Sequence, residues 1–190
     1  MDSSDSSISF DMFGVCDYCN NFHTNILPNW DTGAKGKKEL NKIVDKIKFI
    51  GKGNDFDCII GLSGGLDSSY LTYVVTKELG LRPLLFHVDA GWNTSQAVGN
   101  IEKLVDSLGL DLYTEVINWE EMKDFQVSLL KSQVPHQDMA QDTAFFSALY
   151  KFARVNKIKY VLTGGNYSTE CVRNPLEWMY YQSDSIQLRD

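Results

Sequence analysis

The chain has no apolar run near the roughly 20 residues that a bilayer-crossing helix needs, so no segment of it reads as a membrane span. Its first residues, Met1 to Ser9, lack the basic start and the apolar stretch of a secretory signal. A cytoplasmic location is the expectation. Cysteine is scarce, at 4 of 190 residues, and Cys58 and Cys171 stand isolated, which does not suggest a disulfide framework. Positive charge is also short: 18 Lys and Arg face 25 Asp and Glu, for a net charge of −7. That balance argues against a broad nucleic-acid face. Lys35, Lys37, Lys38, Lys42, Lys46, Lys48 and Lys52 crowd into one stretch, which reads as a solvated helix face.

What is present is globular composition, 43% hydrophobic and 23% charged, in a chain long enough for one domain with a core. Residues 1–36 read as an irregular appendage containing Cys16-Asp17-Tyr18-Cys19, Pro28, Gly33 and Gly36. Cys16 and Cys19 supply half of a tetrahedral zinc set, with His23 a candidate third ligand; two free thiols are the other reading. From Lys38 the pattern turns helical, with Leu40, Ile43, Val44, Ile47 and Ile50 on one face.

Phe56 to Leu62 is a short apolar run ending in glycine, as a buried parallel strand would. A helix from about Asp67 carries Leu71, Val74, Val75 and Leu79, and Gly80 can cap it. Leu84 to Val88 forms a second buried strand, and Ala97, Ile101, Leu104, Val105 and Leu108 mark the next helix. Leu110, Leu112, Thr114 and Val116 alternate with polar residues, as in a strand nearer an edge. Two helices follow, one through Met122, Phe125 and Leu129, the other through Phe145, Ala148, Leu149 and Phe152. Lys159 to Thr163 is the last strand, closed by Gly164 and Gly165.

Strand alternating with helix is the α/β pattern. Right-handed crossovers give a three-layer, doubly wound parallel sheet of strand order 3-2-1-4. Ligands in such sheets bind beyond the carboxyl ends of the strands, where the winding reverses. That places the crevice between strands one and four, where the glycines at 61–65 and 164–165 fall.

The segment Leu62-Ser63-Gly64-Gly65-Leu66-Asp67-Ser68 suits a phosphate. Paired glycines let the backbone approach a ligand and turn its amides inward. The two serines add hydroxyls, and the following helix aims its positive end at the same place. No Gly-Lys-Ser/Thr follows, so this is not a Walker A loop.

The Ser-Gly-Gly-x-Asp-Ser string after a buried strand resembles the signature of the PP-loop ATP pyrophosphatases, which cleave ATP to AMP and pyrophosphate. The resemblance implies an adenine nucleotide alpha hydrolase-like (HUP-type) fold with ATP and Mg²⁺ as cofactors. By that pattern Ser63, Gly64, Gly65, Asp67 and Ser68 hold the β- and γ-phosphates, and Asp67 helps place Mg²⁺. His87, Val88 and Asp89 line adenine and ribose, while Thr163, Gly164 and Gly165 flank the α-phosphate. His87 reads equally as a core histidine satisfied at a strand end.

The resemblance extends to Phe10-Asp11, Gly14 to Cys19, His87 to Asn93 with its Gly91-Trp92-Asn93, Leu112 to Thr114, Trp119-Glu120-Glu121, and Lys159 to Asn166 with Thr169-Glu170. In this order they look like the WbpG-like N-acetyl sugar amidotransferases of lipopolysaccharide, O-antigen and related surface-glycan synthesis. Such a ligase would adenylate the N-acetyl group of a nucleotide-linked sugar and let ammonia displace AMP, giving an acetamidino sugar. Ammonia would come from a glutaminase subunit, because no cysteine here sits on a strand-to-helix elbow. The family usually carries a further Cys-x-x-Cys before the position of Met1 and runs on past Asp190. The expectation is therefore either a fragment or a short gene, with a domain at 37–166, a tail at 167–190 and sugar-binding residues in the missing part.

Ser63, Asp67 and Asp142 are the candidate catalytic residues, although Asp142 also reads as a plain helix N-cap. Pro135, His136, Gln137, Asp138 and Gln141, at the same helix start, are candidate substrate contacts, because that start faces the crevice. Tyr167, Glu170 and Arg173 are candidate substrate contacts, or an exposed loop. A homo-oligomer is compatible with all of this. The competing functions are a tRNA-thiolating PP-loop enzyme, disfavoured by the charge, and a non-catalytic ATP- or AMP-binding domain.

Overall fold

A computed structural model describes residues 2–133 and 138–165. Residues Asn41–Gly164 make one compact unit, and the described residues before Asn41 belong to another. In the N-terminal unit, α1 (Asp17–Asn21) continues through a π turn, Phe22–Ile26, and a 3₁₀ turn, Leu27–Asn29. Short helical turns thus replace the expected irregular stretch. Their polar contacts are local, which hydrophobic periodicity does not register. Asp11, for example, accepts from Phe13 N, Val15 N and Asn20 Nδ2 at 2.9, 3.0 and 3.1 Å.

From Asn41 on, α2 (Ala34–Gly51) belongs to the larger unit and leads into β1 (Cys58–Gly61) and α3 (Leu66–Tyr73), which continues as a π turn, Val74–Glu78. Then come β2 (Pro83–Asp89), α4 (Ser95–Leu108), β3 (Leu112–Val116), α5 (Trp119–Lys131), α6 (Met139–Val155) and β4 (Val161–Leu162). The strands are parallel in the order β3-β2-β1-β4, the arrangement the sequence predicts. The register sets Gly61 opposite Phe86, and Ile60 opposite both Leu85 and Leu162. β4 pairs over two residues only, shorter than the expected strand.

Both faces of β1 are buried, which explains its unbroken apolar run. Cys58, Ile60 and Leu62 point to one face, where Val44 and Ile47 of α2, Val75 and Ile101 meet them. Ile59 points to the other, with Leu84, Phe86, Leu149 and Ala153. α6 covers that second face and packs beside α5. Of the expected α2 stripe, Val44 and Ile47 are buried and Ile50 is half-buried, while Leu40 and Ile43, nearer the amino end, are exposed. Among the described residues no helix is long and apolar enough to cross a membrane.

One polar clamp ties the amino-terminal edge of this sheet together. Asp57, just before β1, is buried. It accepts from Arg82 N at 2.9 Å, from Nε at 3.2 Å and from Nη2 at 2.7 Å. The same guanidinium donates to Gly51 O and Asn54 O at 3.0 and 2.7 Å, fastening the end of α2. Burial pushes the Asp57 carboxyl up, but the Arg82 hydrogen bonds and charge outweigh it and hold the group below its ordinary value.

Asp57→Ala should destabilise the protein by about 1–3 kcal/mol in urea unfolding, below the cost of breaking a fully buried pair because Arg82 stays half in water. Because the folded carboxyl is depressed, its contribution is complete above the unfolded value of about 4 and disappears as pH falls through the folded one. Asp57→Asn should therefore flatten the acid limb of stability against pH; an unchanged limb would contradict the clamp.

Candidate functional site

The carboxyl end of β1 feeds directly into the glycine-rich loop. Leu62 N donates to Phe86 O at 2.9 Å, so the loop leaves the sheet already tied to β2. Ser63 N lies 3.3 Å from Ser68 Oγ, and the two hydroxyls are 3.1 Å apart. Gly65 N donates to Ser63 Oγ at 3.3 Å. These long bonds close the loop without engaging the hydroxyls fully, which leaves them able to turn toward an incoming anion. Gly65 is the N-cap of α3 and offers no side chain to its first amides. An uncapped helix start beside two serines is suited to an anion.

Gly64 shows why the loop needs glycine. Its φ is +77°, and a Cβ there would sit 2.4 Å from the Ala97 carbonyl oxygen. Asn100 Nδ2 on α4 donates to Gly64 O at 3.1 Å and holds the turn. Asp67 lies exposed in the first turn of α3 and Ser68 is buried. Gly164, just past β4, packs against the loop, since a Cβ on it would lie 3.1 Å from the Asp67 carbonyl carbon. Thr163 is exposed.

His87 lies on β2, where the sequence leaves its role open. It is buried, and its Nδ1 is 2.8 Å from Leu62 O. A carbonyl only accepts, so Nδ1 carries the proton and Nε2 takes the bond from Asn93 Nδ2 at 3.0 Å. His87 is thus a satisfied histidine that also positions Asn93 at the cavity edge. That cavity, of about 280 Å³, is lined by Leu62, Ser63, His87, Val88, Asn93, Gln141, Asp142, Phe145 and Phe146.

Asp142 is not the N-cap of α6; Asp138 holds that position. Asp142 instead sits in the first turn and faces the cavity with Ser63 and His87. Asp89 lies beyond His87, where its Oδ1 accepts from Gly91 N at 2.9 Å, outside the cavity lining. Gly165 is the last residue described before 190, so Tyr167, Glu170 and Arg173 lie outside the described residues, as do Pro135, His136 and Gln137.

Gln141, an expected substrate contact, lines this cavity; Asn93, Phe145 and Phe146 line it without having been singled out as site residues. Asn93 carried a signal, in the Gly91-Trp92-Asn93 string. The phenylalanines did not, because apolar residues at helical spacing read as core. Among the described residues no group of three or more His, Cys, Asp and Glu side chains is placed to hold a metal ion. Cys16 is buried and Cys19 exposed. The Cys19 N–H and thiol stabilise the Cys16 thiolate and lower its pKa, while Cys19 is raised in return. This is a hydrogen-bonded thiol pair with half the ligands of a zinc centre.

No family model matches the chain, and no curated protein does. Solved structures similar to it include the NH₃-dependent NAD synthetase of Campylobacter jejuni, at 19% identity over 70% of this chain and 57% of that one, TM-score 0.48. The NMN synthetase of Francisella tularensis gives 22% identity over 68% and 54%, TM-score 0.47. The glutamine-dependent NAD⁺ synthetase of Acinetobacter baumannii, solved with ADP, gives 19% over 66% and 24%, TM-score 0.50. This chain spans little more than half of the first two and about a quarter of the third. The shared property is the fold: the larger unit is adenine nucleotide alpha hydrolase-like, the class the sequence predicts.

Gly64→Ala should cost about 1–3 kcal/mol, because a left-handed φ and a carbonyl clash both oppose the new methyl. Thermal unfolding checks this; an unchanged midpoint would mean the loop had moved off Ala97 at no cost.

Proposed function

We propose that this protein binds ATP at the Ser63–Ser68 loop and adenylates an amide oxygen of its substrate. The observation that carries the reading is the loop itself. Two glycines and two serine hydroxyls, held by bonds of 3.1 to 3.5 Å, lie at an uncapped helix start, at the carboxyl end of the central strand. An adenine nucleotide also accompanies the A. baumannii structure, as ADP. The residues then divide by position. Gly64, Gly65, Ser63 and Ser68 receive the β- and γ-phosphates. Leu62, Val88 and the His87–Asn93 pair border the nucleoside, Gly164 lies against the loop on the β4 side, and Asp142 faces the reacting end.

Mg²⁺ is commonly held by one or two carboxylates together with substrate phosphates, so a lone exposed Asp67 beside the cradle fits it and no all-protein cage is needed. Bound there it would neutralise charge on the departing pyrophosphate. The two thiols at Cys16 and Cys19 fall short of a zinc set, so zinc has no part in this reading.

The finer reading follows the resemblance to the N-acetyl sugar amidotransferases. The acetamido oxygen of a nucleotide-linked sugar attacks the α-phosphorus and pyrophosphate leaves. Ammonia then adds to the imidate carbon, and AMP departs with the original oxygen, leaving an acetamidino group. Burial and the neighbouring Asp57 push the Cys58 thiol up to about 12, so that cysteine is no nucleophile for glutamine. A separate glutaminase subunit supplies the ammonia in this reading.

The protein should release pyrophosphate from ATP and Mg²⁺ when ammonium and a UDP-linked N-acetyl sugar are supplied. Asp67→Asn and Ser63→Ala should each lower that release by about 10²–10³-fold, as loss of a transition-state phosphate contact does. Mass spectrometry of the sugar should show its amide oxygen exchanged for NH. Pyrophosphate release without any change in the sugars would overturn the sugar reading and keep the adenylation. Unchanged ATP in every mixture would overturn both.

A further inference from the structure

The strings around Trp92 and Trp119 stand apart from the phosphate cradle, yet the fold brings them together. A second cavity, of about 530 Å³, is lined by Trp92, Trp119, Lys123, Gln126, Val127, Leu130, Asp138 and Gln141. The two indoles meet edge to face, with centroids 5.2 Å apart and planes at 76°. Gly91 makes their approach possible, since a Cβ there would lie 2.4 Å from Trp119 Cε3. Neither indole is buried by the protein: Trp92 is 56% exposed and Trp119 39%. Large aromatic surface left open inside a concavity is unusual unless something covers it.

The position of this cavity says what that is. Gln141 lines both it and the cavity beside the loop, so the two spaces meet at the first turn of α6. Asp142 faces the loop side of that turn and Asp138 the tryptophan side. A space of about 280 Å³ at the loop is at the small end for a single drug-sized ligand, so an acceptor bound beside the nucleotide needs the adjoining space. The lining of the other space specifies its chemistry. Indole and aliphatic side chains suit the flat C–H face of a ring. Amides from Gln126 and Gln141 suit hydroxyls. Lys123, which has no ion-pair partner among the described residues, suits a phosphate or carboxylate.

We infer that the tryptophan cavity is the acceptor site, taking a hydroxylated ring that stacks on Trp119 and Trp92 and carries an anionic group toward Lys123. The inference rests on the proposed adenylation, because it is the meeting of the two spaces that gives the acceptor a reaction partner. The ring end lies against the indoles and the reacting amide reaches past Gln141 toward Asp142. Gly91-Trp92-Asn93 then serves both spaces at once, with Trp92 in the acceptor wall and Asn93 in the nucleotide wall.

The test is calorimetry of the full-length protein with two probes, a non-hydrolysable ATP analogue with Mg²⁺ and UDP-N-acetylglucosamine. Trp119→Leu and Lys123→Gln should each weaken the sugar probe by about tenfold, the scale of one stacked or charged contact, and leave the analogue unchanged. Lys123 is on the surface of α5, so Lys123→Gln reports on binding even if Trp119→Leu loosens the fold. Equal weakening of both probes would assign the indoles to the nucleotide and overturn the inference. So would a sugar probe that binds wild type and both variants alike. A wild type that binds the analogue and ignores the sugar overturns the acceptor site while the ATP reading stands. If the analogue itself fails to bind, the adenylation and the inference fall together.

Discussion

Everything in the larger unit depends on β1 being hydrogen-bonded along both edges. With β2 on one side and β4 on the other, its backbone has no open edge and both its faces must be covered. The chain can then leave β1 only at its ends. The amino end is anchored by buried Asp57 and its bonds to Arg82. The carboxyl end runs out into the glycine-rich loop. Winding reverses at this strand, so no helix crosses directly above its exit, and the space that remains is the site.

That exit is held by contacts that cross between strands and loops. Leu62 contributes both of its backbone groups: its N–H pairs with Phe86 and its carbonyl receives His87 Nδ1. His87 in turn fixes Asn93, the residue just before Thr94, the N-cap of α4. Asn100 on the same helix returns to Gly64. A short circuit therefore runs from β1 to β2, to α4, and back to the loop. It holds the loop in place through backbone groups that the neighbouring elements already satisfy.

How much of this was legible depends on the kind of signal. The strand order followed from apolar runs, helical stripes and the handedness of crossovers, and the glycines marked the switch point. The Asp57–Arg82 clamp was not visible, because residues 25 apart in sequence leave no periodic trace of their pairing. The inward faces were only partly visible: buried Thr72, whose hydroxyl bonds Ser68 O at 2.8 Å, counts as polar in any pattern of hydrophobic spacing. The N-terminal turns were missed for a related reason, being set by local side-chain bonds.

The order of residues by itself determined the fold class and the tight glycine-rich turn after β1, because both depend on local properties: apolar periodicity, paired glycines and a helix start. Tertiary structure decided the rest. It made His87 a satisfied, orienting histidine, moved Asp142 from cap to cavity, and put two distant tryptophans into one wall. Such outcomes depend on which atoms end up within a few ångströms of one another, and that is settled only when the sheet closes and its helices pack.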